Sequence, residues 1–118
     1  MQLEHSQQSG YVLAECEGQL DATSHQAFRD ALHPLFTERG VNVVVDLSGS
    51  KWVNSEGISA MVRLVADANT KGCRVIYAAP NAFVQEVLQV TRLSKFFDVA
   101  PSRAAAVEML NVVGGGQT

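Results

Sequence analysis

Apolar and polar positions alternate between Tyr11 and Gly18. Val12, Ala14 and Cys16 fall on one side, and Leu13, Glu15 and Glu17 on the other. A period of two with charges on one face predicts a strand that is half open to solvent. A shorter strand is expected before it, around Leu3. The period then changes. Phe28, Leu32, Leu35 and Phe36 stand at i, i+4, i+7 and i+8, the stripe of a core-facing helix. Thr23 with Gln26 three residues on is a capping-box pattern and predicts where that helix opens. Pro34 interrupts the stripe and should kink or shorten the helix. Val41 to Leu47 is almost continuously apolar, the signature of a strand buried on both faces.

A second helix is expected after Asn54, with Ile58, Met61, Val62, Val65 and Ala68 on its buried stripe and Gly72 at its end. Cys73 to Ala79 is a further short buried strand, closed by Pro80. Asn81 can cap a third helix that carries Phe83, Val87 and Leu88. The stretch Leu93 to Val99 holds a Phe-Phe pair and a short strand, and Ser102 can cap a last helix through Ala106, Val107 and Leu110. The alternation of strands and helices after the opening pair predicts an α/β fold with a mixed, mostly parallel sheet. The solvated faces of the early strands place the helices mainly on one side of it. Residues 1–112 form the expected single domain, and 113–118 a flexible Gly-rich tail.

Length and composition narrow the function. The 118 residues are 47% hydrophobic and 18% charged, enough apolar material for one core. The formal charge of −3 argues against nucleic acid as the main partner, because phosphate binding relies on clustered Lys and Arg. No apolar run approaches the ~20 residues that span a bilayer. The polar start, Met1 to Gly10, lacks the pattern of a signal peptide. A cytoplasmic protein without direct membrane insertion is expected. Cys16 and Cys73 match neither a zinc spacing nor a disulfide framework, so both are expected as buried free thiols.

Signals for catalysis are thin. His5, His25 and His33 have no metal-like partner at helical or hairpin spacing. No Gly-rich loop precedes a helix to cradle phosphate, and no nucleophile elbow is present. The expectation is a non-enzyme without cofactor or metal. One segment stands out: Trp52-Val53-Asn54-Ser55-Glu56-Gly57-Ile58, just past the buried strand and opening a helix. Strand C-terminal edges of open α/β sheets are where sites lie. A helix N-terminus tolerates an added anion, and Ser55 would sit there. Asn54 is also an ordinary N-cap and Glu56 an ordinary first-turn carboxylate, so these residues alone leave a purely structural role open.

The order of several short motifs resembles the STAS domain family, which includes the bacterial anti-sigma factor antagonists. Gly18-Gln19-Leu20-Asp21 resembles the family's Gly-x-Leu-Asp. Val43-Val44-Val45-Asp46-Leu47-Ser48 resembles its apolar strand ending in Asp-Leu-Ser. Val53-Asn54-Ser55-Glu56-Gly57-Ile58 lies where the family has an apolar residue and Asp-Ser-Ser-Gly-Leu. Gly72, Val75-Ile76, Val87-Leu88, Leu93 and Phe96-Phe97 follow the remaining pattern. Asn54 replaces the family's Asp, Glu56 its second Ser, and Arg92 a common Gly.

The resemblance implies a STAS-like fold and a phospho-switch. It makes Ser55 the phosphoacceptor. The implied partner is an anti-sigma factor that is also a serine kinase, and a metal-dependent phosphatase would reverse the modification. The expected contact set is Asp21, Asn54, Ser55, Glu56, Gly57, Ile58 and Ser59, on a monomer or weak dimer. Two other roles fit the same resemblance: a small cytoplasmic STAS subunit of a lipid or anion transporter, and a non-phosphorylated scaffold in a signalling assembly.

Overall fold

The structure is a computed structural model. It describes residues 1–115, and the side chains up to 110. Half of the expected tail at 113–118, residues 116–118, therefore lies outside the described residues. Five strands form one sheet in the order β1-β2-β3-β4-β5: β1 (Gln2–Gln7), β2 (Val12–Glu17), β3 (Asn42–Gly49), β4 (Arg74–Ala78) and β5 (Asp98–Ala100). β1 runs antiparallel to β2, and every later pair is parallel. Four helices follow the strands: α1 (Ala22–Ala31), α2 (Ser55–Thr70), α3 (Ala82–Val90) and α4 (Arg103–Gly115). The mixed, mostly parallel sheet is the expected one, with the valine-rich β3 at its centre.

Alternation along the strands divides the interior into two unequal cores. Val12, Ala14, Cys16, Val43, Val45, Leu47, Val75 and Tyr77 point to the side covered by α1, α2 and α3. Leu13, Val44, Ile76, Ala78 and Ala100 point to the other side, where α4 supplies Ala106 and partly buried Ala105, Met109 and Leu110. β3 is buried on both faces because it lies between two strands and has helices on each side of the sheet, as β4 does. The solvent face of β1 and β2 keeps Glu15 and Glu17 exposed.

Two local expectations shift, at the α1 cap and on α3, and one is met, at Pro34. The cap of α1 is Asp21 with Ser24, not Thr23 with Gln26: Asp21 accepts from the Thr23 N–H at 2.9 Å, and the Asp21 N–H donates to Ser24 Oγ at 3.1 Å. A carboxylate at this position already faces the free N–H groups of the first turn, so it captures the role. Pro34 does end the helix: α1 stops at Ala31 and a 3-10 turn, His33–Thr37, carries Phe36 into the core. On α3 the buried pair is Val84 and Leu88, while Phe83 is 43% exposed. Phe83 is the second residue of a nine-residue helix whose inner face is set one position later.

Candidate functional site

The first turns of α1 and α2 lie side by side at the C-terminal edge of the parallel strands. The link is Leu20, the residue before the α1 cap. Its N–H donates to the Trp52 carbonyl at 2.9 Å, and its carbonyl accepts from the Asn54 N–H at 3.0 Å. Leu20 and Val53 thus form a short parallel bridge outside the main sheet, with both side chains buried. The absence of a side chain at Gly57 lets α2 come this close. A Cβ there would fall inside the van der Waals radius of the Leu20 carbonyl and would sit 2.9 Å from the Asp21 nitrogen.

Asn54 caps α2. Its Oδ1 accepts from the Gly57 N–H at 3.0 Å, and its backbone carbonyl accepts from the Ile58 N–H at 3.0 Å. Ser55 is the first residue of the helix and is exposed. Its hydroxyl has no hydrogen-bond partner among the described residues. Glu56 is exposed beside it and comes within 3.6 Å of His25 Nε2 on α1. Asp21 caps the neighbouring helix. The Thr23 hydroxyl, then the Thr23 N–H, holds its carboxyl below the usual range. Of the seven expected contact residues, Asp21, Asn54, Ile58 and Ser59 are half-buried, Ser55 and Glu56 are exposed, and Gly57 is buried. All seven lie on the two adjoining first turns.

The floor of this edge extends to α3. The Asn81 side chain donates from Nδ2 to the Lys51 carbonyl at 3.0 Å, while its Oδ1 caps α3 through the Val84 N–H at 2.9 Å. Trp52, on the same loop, is 43% exposed. Behind the edge, Asp46 of the Asp-Leu-Ser motif is buried and held. Arg103 Nη2 donates to it at 2.8 Å and to Glu15 at 2.8 Å, and the Ser48 N–H donates at 2.9 Å. Burial pushes the Asp46 carboxyl up, but the bonds from Arg103 and Ser48 outweigh it and keep the group below the usual range. This motif residue anchors α4 to the sheet and does not face the candidate site.

Sequence reasoning missed His25 at Glu56 and Arg103 at Asp46. Neither pair has a local signature, because the partners are 31 and 57 residues apart. Both cysteines are free and buried. Burial, then the nearby Asp46, pushes the Cys16 thiol up to about 12. No helix among the described residues is long and apolar enough to cross a membrane.

A family model described as "Mlab, STAS domain" matches residues 4–101. The chain belongs to the STAS domain family. Solved structures support the fold over almost the whole chain. An RsbS variant from Moorella thermoacetica aligns with a TM-score of 0.81 at 16% identity, covering 97% of this chain and 98% of that one. An anti-sigma factor antagonist from Mycobacterium paratuberculosis aligns at 0.77 and 17% identity, covering 93% of each. The antagonist SpoIIAA in its unphosphorylated form aligns at 0.68 and 16% identity, covering 97% of this chain and 99% of that one. The murine anion transporter Slc26a9 also matches, at 0.71 and 18% identity; 91% of this chain covers 18% of the transporter.

Proposed function

We propose that this protein is a regulatory STAS module that docks on an anti-sigma factor with serine kinase activity, and that phosphorylation of Ser55 breaks the contact. The observation that carries this reading is the placement of Ser55: an exposed hydroxyl without a partner at the start of a 16-residue helix, on an edge shared with a second helix start. Relatives of the same fold include anti-sigma factor antagonists, one of them described by its unphosphorylated form. A phosphoserine adds about −1.5 to −2 charges at pH 7. The dipole of α2 favours that charge by about 0.3–1 kcal/mol. Repulsion from Glu56 at roughly 6 Å in water is about 1–1.4 kcal/mol and largely cancels the gain. The fold is thus indifferent to the modification. The effect falls on the complex, where a desolvated, unpaired charge is costly. A metal-dependent phosphatase would reset the switch in the cytoplasm.

The test has two arms. The protein is incubated with the host's anti-sigma factor kinases and Mg-ATP, and the product is mapped by mass spectrometry. Calorimetry then compares partner binding by wild type, Ser55→Ala and Ser55→Asp. Phosphate on Ser55, with Ser55→Ala binding like wild type and Ser55→Asp at least tenfold weaker (about 1.4 kcal/mol), is expected. An unmodified Ser55 with equal binding by all three proteins would overturn the switch. The likeness to part of an anion transporter favours a second reading, a STAS subunit seated on a transporter's cytoplasmic surface. It requires a transporter that co-purifies with the chain whatever residue stands at 55.

A further inference from the structure

A groove of about 290 Å³ lies between α1 and α2 and runs down from the helix starts. The two helices run parallel, since each follows a parallel strand, and their facing side chains form three rungs. At the top, His25 meets Glu56 at 3.6 Å. At the bottom, Asp67 takes His33 at 2.7 Å and Lys71 at 2.9 Å. The middle rung is different. Arg29 from α1 and Arg63 from α2 line the groove there, and neither has a carboxylate partner among the described residues. The floor beneath them is Phe28 and Ala60, both 1% exposed.

We propose that this middle rung binds a phosphate-class oxyanion on a small molecule, held between Arg29 and Arg63. The wall carries three permanent cations, Arg29, Arg63 and Lys71, against one carboxylate, Asp67, in a chain whose net charge is −3. Asp67 is already engaged by Lys71 and His33, so the charge left over is that of the two arginines. Arg29, in the last turn of α1, also answers the helix dipole. Arg63 is in the middle of α2 and has no such role. Two exposed arginines on one groove, with buried Phe28 and Ala60 beside them, offer the paired donors that a phosphate takes and an apolar surface for the body of a small ester. The volume is at the lower end for ligand sites and admits phosphate or a glycerol-sized ester. This site is independent of Ser55 and of the partner reading.

The experiment is a titration of the full chain, followed by NMR of backbone amides and arginine Nε–Hε groups. The probes are inorganic phosphate and glycerol phosphate, with ionic strength matched by sodium chloride. Saturable shifts are expected at the Arg29 and Arg63 Nε–Hε and at the Ala60 amide. Arg29→Gln with Arg63→Gln should weaken binding at least tenfold, while Lys95→Gln, which does not line the groove, should leave it unchanged. Tighter binding of glycerol phosphate assigns the site to phosphate esters, and equal affinity assigns it to free phosphate. Non-saturating shifts, the same shifts in chloride alone, shifts centred on Ser55, or a double variant that binds like wild type would each overturn the proposal.

Discussion

Gly57→Ala tests the close approach of α1 and α2, because two physical effects oppose each other in sign. Helix propensity alone predicts a gain of about 1 kcal/mol when a helical Gly becomes Ala. The structure predicts a loss. The new methyl would overlap the Leu20 carbonyl, and backbone cannot swing away as a flexible side chain would. Relief requires the first turn of α2 to retreat from Leu20. Overpacking of this kind costs about 1–3 kcal/mol. The retreat also stretches the two hydrogen bonds that join Leu20 to Trp52 and Asn54, now at 2.9 and 3.0 Å. Each is worth about 0.5–1.5 kcal/mol. Set against the propensity gain, the net loss is about 1–5 kcal/mol. Urea denaturation of wild type and Gly57→Ala, analysed with a common slope, measures it. A variant as stable as wild type, or more stable, would refute the clamp and leave propensity as the only effect.

Three other outcomes follow from the same coordinates. Arg92 sits in the left-handed region with φ of 65°, so Arg92→Gly should raise stability by about 1 kcal/mol in the same denaturation assay. Cys16, with its thiol pushed up to about 12, should react with a disulfide reagent at pH 8 about a thousandfold or more slowly than a free thiol until the protein unfolds; fast labelling of Cys16 in the native protein would contradict its burial. The depressed Asp46 carboxyl contributes stability that is fully present above the unfolded value of about 3.9 and is lost as pH falls through its lower folded value. Arg103→Ala should therefore cost about 1 kcal/mol at pH 7, discounted for the exposed side of the pair, and the gap should narrow as pH falls below about 3.9. A gap of constant size across that range would remove the Asp46 contact from the account.

The elements were legible where one local signal dominated. Three adjacent valines in β3, the alternation in β2, and Asn at the start of α2 and α3 each specify an element without reference to distant residues. The edge around Ser55 was legible for the same reason, since a strand end followed by a cap fixes where a helix starts. Legibility failed where two local signals competed, or where contact depended on tertiary packing. Asp21 and Thr23 are both competent caps, and the sequence alone does not say which of them the first-turn N–H groups face; in the structure it is Asp21. Phe83 looked like a core residue by composition, yet the turn of α3 offers Val84 to the interior instead. The ion pairs of the α1–α2 groove leave no periodic trace, because surface charge on a helix follows no repeat that survives in one sequence.

The sheet order has a consequence for how the chain is made. Strands lie in space in the order in which they are synthesised, so each new strand meets a neighbour that has already emerged. No strand waits for a later one to be inserted between it and its partner. Each parallel closure spans a single helical crossover, which favours addition of one unit at a time from the N-terminus. The exception is the second face of the sheet. Leu13, Val44 and Ile76 are in place early, but their cover, α4, emerges only after all five strands. Until then this row of apolar side chains is bare. It is the stretch of the nascent protein that a chaperone would recognise, and a chain truncated before Arg103 would keep it exposed permanently.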